Sequence, residues 1–259
     1  MRKSLFIIVI YFILQTVIGF AAYLFVQLSG AGQASPTHSL PAGVLLASLL
    51  VSSLLTAIAA ILICGKGFRT PFRGLKQRAN TTATLLLCLL TSLPLILASN
   101  CLVEIADLPD LMGASFSEMS VGFWALPIMA VIGPLSEEIC FRYGVTGALL
   151  EQMPGSPTKV IVFSALIFGV IHMNPAQSLS AFLLGLYLAW LYVKTRSIWP
   201  SVVCHICNNL IAVLMLRFLP QDATLTSLLP IPYYIYIVLA AAVVVAIPLL
   251  LVLNKRLTP

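Results

Sequence analysis

The sequence predicts an all-α, polytopic membrane protein with about eight transmembrane helices around an intramembrane polar cavity. Hydrophobic residues make up 60% of the 259 residues and charged residues only 8%, whereas a soluble domain carries about 25% charged residues. The mean hydropathy is +1.06, and the apolar stretches reach the roughly 20 residues that a helix needs to cross a bilayer. No internal repeat or low-complexity tract divides the chain, so residues 1–259 are predicted to form one integral membrane domain.

Eight apolar stretches, taken in order, account for these helices. The first is too long for the apolar core of a signal peptide, and no clear small-x-small cleavage site follows it, so we expect it to be retained. The fourth is interrupted by Gly133-Pro134, which predicts a kink. Trp190 and Trp199, near the end of the sixth stretch and the start of the seventh, are typical of a membrane interface. The predicted spans are residues 5–28, 42–64, 80–103, 121–150, 158–174, 176–194, 198–218 and 231–253.

The basic residues cluster beside the ends of these spans, and all clusters fall on the cytoplasmic side if the N-terminus is cytoplasmic. The basic clusters are Arg2 and Lys3; Lys66, Arg69, Arg73, Lys76 and Arg78; Lys194 and Arg196; and Lys255 and Arg256. The opposite loops hold Glu104, Asp107, Asp110, Glu118, His38 and Asp222. We therefore attribute the net charge of +6 to membrane topology and expect no nucleic-acid partner. Short loops and the absence of a transit or retention signal favour a bacterial cytoplasmic membrane, with both termini cytoplasmic.

The six cysteines do not predict a disulfide framework, because most lie within spans, where a thiol behaves as a small apolar side chain. Cys204 and Cys207 form a C-x-x-C pair, which is compatible with metal or redox chemistry. A single pair without a second one is weak evidence for either. Cys140 has no histidine nearby in the sequence to activate it as a nucleophile.

The fourth span carries charges that a lipid-soluble helix rarely keeps unless they have a function. Glu138 and Arg142 are four residues apart and share a helix face, so we expect them to form an ion pair. Glu137 is rotated by about 100° from Glu138 and has no basic partner nearby in the sequence. This asymmetry leaves Glu137 available for general acid–base chemistry, and the break at Pro134 would admit water beside it. Two buried ion pairs that hold the bundle together are the alternative interpretation.

Two of the three histidines also lie in apolar stretches. Phe168 and His172 are four residues apart on one face of the fifth span. His205 and Asn209 have the same spacing in the seventh, which directs an imidazole and an amide towards one place. On straight helices the two histidines would differ in depth by about 10 Å. We therefore expect shifted boundaries of the fifth span, helix tilt or the kink to bring them together.

Three motifs occur on three separate apolar stretches, and their combination is specific. They are Glu137-Glu138-x-x-x-Arg142, then Phe168-x-x-x-His172, then His205-x-x-x-Asn209. This arrangement resembles the CPBP family, which comprises the CAAX prenyl endopeptidases of the Rce1 type and the bacteriocin-processing Abi intramembrane proteases. The resemblance covers a motif-bearing core at about residues 121–215, and all three motifs match without gaps.

The resemblance implies a glutamate-dependent intramembrane peptidase. Glu137 matches the catalytic glutamate, and His172 matches the histidine that helps it to activate water. His205 and Asn209 match the pair that stabilises the oxyanion. The supporting positions match Glu138, Arg142 and Phe168.

The sequence leaves the metal dependence of the reaction open. Family members have been described as metalloproteases, and Glu137, His172 and His205 would supply a His-His-Glu zinc set. The histidines are on different helices, however, and no H-E-x-x-H motif is present. We expect no metal, with zinc as the alternative.

Two other classes of function remain. A proton-coupled transporter uses intramembrane Glu, Arg and His as relays, although the chain lacks the internal repeats that are common in transporters. A non-catalytic scaffold or bacteriocin-immunity protein would keep the motifs without using them. The substrate of a protease is predicted only as a membrane-embedded or lipid-anchored peptide, because no residue pattern encodes a prenyl-binding groove.

Overall fold

The computed structural model describes residues 2–29, 40–65, 81–220, 223–228, 231 and 233–258. Within these residues the chain forms helices and no strand. The predicted basic loop with Lys66, Arg69, Arg73, Lys76 and Arg78 lies outside the described residues, as do His38 and Asp222. The helices are α1 (Arg2–Ser29), α2 (Ala42–Cys64), α3 (Thr82–Ala106), α4 (Gly113–Ser120), π1 (Leu126–Ile132), α5 (Gly133–Glu137), π2 (Glu138–Thr146), α6 (Gly147–Gln152), α7 (Pro157–Val170), α8 (Pro175–Thr195), α9 (Trp199–Phe218), α10 (Leu225–Leu228) and α11 (Tyr234–Leu257).

Six of these helices are long and apolar enough to cross a membrane, which makes the chain an integral, polytopic all-α membrane protein. They are Lys3–Ser29, Ala42–Cys64, Thr82–Ala106, Pro175–Thr195, Trp199–Phe218 and Tyr234–Leu257. The predicted number of eight is not confirmed. The predicted fourth span is a helix of alternating π and α segments, and α7 has only 14 residues, or about 21 Å at 1.5 Å per residue.

The fourth predicted span begins later than expected and has an unusual backbone. Residues 113–120 form the separate short helix α4, and the continuous helical segment starts at Leu126. Pro134 lies in the first turn of α5, directly after π1. A π segment shifts the backbone hydrogen bonds from i→i+4 to i→i+5. The expected irregularity at Pro134 therefore takes the form of a π turn before the proline.

The fifth predicted span ends earlier than residue 174, at Val170. Asn174 precedes Pro175 and adopts an extended backbone, with φ −130° and ψ 112°, because a proline ring disfavours the helical region for the residue before it. Met173 is in the left-handed region at φ 50°. His172 consequently lies in the turn between α7 and α8, not inside a helix.

The segment π2 lies at the centre of the bundle, since all nine of its residues are buried. It packs against α1, α2, α7 and α8. Phe141 is fully buried here and contacts Tyr11 of α1 and Phe168 of α7, with ring centroids 5.1 and 5.3 Å apart. Glu138 and Arg142 of the charged motif therefore lie in a fully buried helical segment, and Glu137 ends α5 directly before it.

Candidate active site

Glu138 joins two of the three motifs. Its Oε2 lies 3.1 Å from Nε of Arg142, one turn further along π2, and both side chains are fully buried. Its Oε1 lies 2.9 Å from Nδ1 of His205 on α9. The expected Glu138–Arg142 pair is therefore present, and the histidine is a third member that the sequence did not indicate. Such a group keeps buried charges compensated, which is necessary where water cannot solvate them.

The contact with Glu138 fixes the orientation of the His205 ring. Because a carboxylate oxygen only accepts, Nδ1 of His205 donates its proton to Glu138. The other ring nitrogen, Nε2, then faces Glu137, whose Oε2 is 3.7 Å away. That separation is longer than a hydrogen bond. The Glu137 side chain is 22% exposed, so this carboxylate borders accessible space while its neighbour Glu138 does not.

The Phe168 ring brings the second motif against the other two. It makes edge-on contacts with the rings of His172 and His205, at centroid distances of 5.0 and 5.7 Å. The guanidinium carbon of Arg142 lies 4.5 Å from the centroid of the same ring, within the range of a cation–π interaction. Both histidines therefore lie near one buried aromatic ring, not at opposite surfaces.

His172 is held in one tautomer by the backbone. Its Nδ1 lies 2.7 Å from the carbonyl oxygen of Phe168, and a carbonyl only accepts, so Nδ1 carries the proton. The unprotonated Nε2 is then available to accept a proton or a hydrogen bond.

The turn that carries His172 is anchored by residues that the sequence analysis did not single out. Asn174 is 2% exposed, and its Oδ1 accepts a hydrogen bond from the backbone N–H of Leu111 at 3.0 Å. Its Nδ2 donates to Oδ1 of Asp110 at 2.7 Å. The Asn-Pro dipeptide was the available signal for this turn, but the contact with residues 110–111 could not be found from sequence spacing.

Asn209 is placed on the π1 side of the cluster. Its Nδ2 donates to the carbonyl oxygen of Met129 at 3.1 Å, and its Oδ1 accepts from Nδ2 of Asn208 at 3.1 Å. The second N–H of the Asn209 amide is left for another acceptor. Asn209 is one turn beyond His205 on α9, so both side chains face the segments π1 to π2.

The side chains named above for the alternative zinc set are not gathered into one group. Among the described residues, no three His, Cys, Asp or Glu side chains lie close enough together to hold one metal ion. This includes Glu137, His172 and His205. Cys204 is fully buried in an apolar cluster with Cys88 and Leu188, so the C-x-x-C pair lies apart from the glutamates.

Comparisons with known proteins confirm the resemblance seen in the motifs. Residues 119–211 match the family of type II CAAX prenyl endopeptidase Rce1-like proteins. The chain is 32% identical over 114 residues to the putative membrane peptidase YdiL of Bacillus subtilis (strain 168), which covers 40% of this chain and 46% of that protein. It is 30% identical over 101 residues to the probable CAAX prenyl protease 2 of Schizosaccharomyces pombe, which covers 31% of this chain and 37% of that protein.

The chain thus spans less than half the length of these two relatives. No solved structure matches it. The matched residues include all three motifs and the side chains that meet around Phe168 and Glu138.

Proposed function

We propose that this protein is an intramembrane endopeptidase that hydrolyses a peptide bond in a membrane-associated protein or peptide. The observation that carries the proposal is that His172 and His205 contact one buried ring, Phe168, inside a membrane protein, while Glu137 and Glu138 lie beside His205. Intramembrane ionisable groups that converge in this way are kept for a function. The match to Rce1-like CAAX endopeptidases supports peptide hydrolysis as that function.

In the proposed reaction, Glu137 acts as the general base. It is the more exposed of the two glutamates, and its carboxylate takes a proton from a water molecule while the water oxygen attacks the carbonyl carbon of the substrate. Nε2 of His172 accepts a hydrogen bond from the second O–H of that water and so orients it, while that hydrogen stays on the attacking oxygen. When the tetrahedral intermediate collapses, the carbon–nitrogen bond breaks and the proton held by Glu137 passes to the leaving amine.

The developing oxyanion is stabilised by His205 and Asn209. In this proposal His205 acts as an imidazolium, whose Nδ1–H donates to Glu138 and whose Nε2–H donates to the oxyanion. Asn209 contributes the amide N–H that is not bound to Met129. Glu138, Arg142 and Phe168 position His205 and do not touch the substrate. We propose a reaction without a metal, with zinc activation of water as the alternative.

The proposed substrate is a membrane-embedded or lipid-anchored peptide, in CAAX-type or bacteriocin-type processing. The proposed location is a bacterial cytoplasmic membrane with both termini in the cytoplasm. These proposals follow from the motif resemblance and from the distribution of basic residues.

The test compares membrane and secreted peptides from cells that express the wild type, Glu137→Gln or Glu118→Gln. Glutamine preserves volume while removing the base, and Glu118 is an exposed residue of α4 that serves as a matched control. Peptide fragments present with the wild type and Glu118→Gln but absent with Glu137→Gln are expected. Identical profiles at equal protein abundance would overturn the proposal in favour of a transporter or a scaffold.

A further inference from the structure

A cavity of about 630 Å³ lies between α3, α8, α9 and α11. None of the proposed catalytic residues lines it. Its volume is within the range of about 300–1,000 Å³ that is typical of small-molecule sites. The lining residues are Leu95, Ile96, Ala98, Ser99, Leu102, Leu183, Leu184, Leu186, Tyr187, Trp190, Asn208, Leu250, Leu251 and Asn254.

The shape of the cavity is elongated along the helix axes. Residues 95–102 of α3 and residues 183–190 of α8 line it, and seven steps at 1.5 Å per residue correspond to about 10 Å. Leu102 and Leu251 belong to this lining, and they are 38% and 59% exposed. The cavity therefore borders the outer surface of the bundle, where the neighbours of a membrane-spanning protein are lipid chains.

The walls are apolar apart from a few hydrogen-bonding groups. Ser99 is 6% exposed, and its hydroxyl is buried with no hydrogen-bond partner among the described residues. A buried hydroxyl without a partner costs about 1–3 kcal/mol. The hydroxyl of Tyr187, by contrast, already donates to the carbonyl oxygen of Cys88. A ligand with a long apolar part would match these walls, and an oxygen on that ligand would become the partner that Ser99 lacks once the Ser99 side chain rotates towards the cavity.

We propose that this cavity binds the acyl chain of a membrane lipid, with an ester or carboxyl oxygen of that lipid accepting a hydrogen bond from Ser99. An apolar cavity of this kind excludes water and favours an apolar occupant. The wall is also connected to the candidate active site, because Nδ2 of Asn208 donates to Oδ1 of Asn209. Lipid binding itself does not depend on the proposed peptidase activity.

The experiment uses the purified full chain in phosphatidylethanolamine–phosphatidylglycerol vesicles with a palmitic acid that carries a photoreactive diazirine near its methyl end. After irradiation, the labelled peptides are identified by mass spectrometry. We expect the label to concentrate on residues 95–102, 183–190 and 250–254, and excess unlabelled palmitic acid to abolish this enrichment. Label spread evenly over all lipid-facing helices and unaffected by the competitor would overturn the proposal.

A variant pair tests the same site independently. Ala98→Phe places a ring in the cavity, and labelling at these peptides should fall to the level found on α1. Ala241→Phe adds the same ring at an exposed position of α11 and should leave the labelling unchanged. If Ala98→Phe fails to fold, the competition experiment on the wild type still decides the outcome. Equal labelling of the two folded variants would contradict an acyl chain in this cavity.

Discussion

Glu137 and Glu138 are neighbours in sequence, yet the fold gives them different environments. Glu138 is fully buried, with one oxygen against Arg142 and the other against His205. Glu137 is 22% exposed and its nearest basic group, Nε2 of His205, is 3.7 Å away. A rotation of about 100° between consecutive helical residues is enough to give two neighbouring carboxylates these different surroundings. Substitution of Glu138 and substitution of Glu137 should therefore have different effects on the stability of the protein.

Replacing Glu138 should destabilise the fold more than replacing Glu137. Glu138→Gln leaves the fully buried Arg142 without its compensating charge, and breaking a buried pair in this way costs about 3–5 kcal/mol. Glu137→Gln removes no direct ion pair of that kind and should change the free energy of unfolding by less than about 1 kcal/mol. Thermal unfolding of the purified variants in detergent measures the difference. Equal loss of stability in both would contradict the division of roles.

His172 offers a substitution that separates its two ring nitrogens. In His172→Asn the side-chain amide can still donate to the Phe168 carbonyl, which now accepts from Nδ1 at 2.7 Å. Nothing then replaces Nε2. If Nε2 orients the attacking water, cleavage should fall about 10²–10⁴-fold while the unfolding temperature stays near that of the wild type. Near-normal cleavage by a well-folded His172→Asn protein would remove His172 from the mechanism.

At the scale of helices, the site depends on two irregular features. The π segments on both sides of α5 change which side chains face inward, and such segments are frequent at functional sites. The turn after α7 places His172 beyond the helix end, where Asn174 anchors it to residues 110–111. A regular 3.6-residue helix would have given neither placement.

The packing of α7 on α8 holds the second motif in position and depends on Gly169. A Cβ atom at this residue would lie 2.8 Å from the backbone oxygen of Ser178 and 3.0 Å from Cβ of Phe182. Gly169 therefore allows the close approach of α8 that is typical of small residues in membrane helices. The pair α7–α8 in turn carries Phe168 and His172.

Gly169→Ala should separate these two helices and destabilise the protein. Overpacking of this kind costs about 1–3 kcal/mol, because the nearest atom belongs to the backbone and cannot rotate away. Gly19→Ala is the matched control, since nothing lies within 4 Å of a Cβ at that position of α1. The unfolding temperatures of the two variants in detergent give the comparison. An unchanged temperature for Gly169→Ala would show that α7 and α8 adjust freely.

For the whole molecule, the sequence predicted the class and the Glu138–Arg142 pair better than the number and the bounds of the spans. Composition is sufficient for an all-α membrane protein, because few charges and long apolar stretches leave no other solution. The i, i+4 spacings correctly indicated the Glu138–Arg142 pair. The contact between Glu138 and His205, 67 residues apart in sequence, depends on how α9 packs against π1 and α5. Local spacing carries no information about such packing.

The predicted number of eight spans is not confirmed, because two of the predicted segments have an irregular or short helix. Hydropathy treats residues 121–150 and 158–174 as ordinary spanning stretches. Hydropathy contains no information about the backbone at prolines, where Pro134 follows a π segment and Asn174 before Pro175 is extended. It also does not register that a 14-residue helix such as α7 is shorter than the roughly 30 Å hydrocarbon core. Two of the three motifs lie in these two segments, whereas His205 and Asn209 lie on the long helix α9.

Contacts within the bundle place several basic residues at one end of the molecule. Nε of Arg256 donates to Oγ1 of Thr84 at 2.7 Å, so the end of α11 lies beside the start of α3. Tyr187 donates to the Cys88 carbonyl, which puts the end of α8, with Lys194, at the start of α3 as well.

The N-terminal helix joins the same end of the bundle. Nε2 of Gln152 donates to Oγ of Ser4 at 3.4 Å, and a Cβ at Gly147 in the same helical segment would lie 3.2 Å from the hydroxyl of Tyr192. Tyr192 is within one turn of the end of α8. One end of the bundle therefore holds the basic residues Lys3, Lys194, Arg196 and Arg256. The acidic residues Glu104 and Asp107 lie at the other end, where α3 ends.

This charge separation predicts that both termini are cytoplasmic. Basic residues in short connections are retained on the cytoplasmic side during insertion, and the same end of the bundle carries the start of α1 and the end of α11. Fusions of alkaline phosphatase, which is active only outside the cytoplasm, should be inactive at either terminus. A fusion after Asp107 should be active, because α3 ends at the opposite face. Phosphatase activity at either terminus would contradict the prediction.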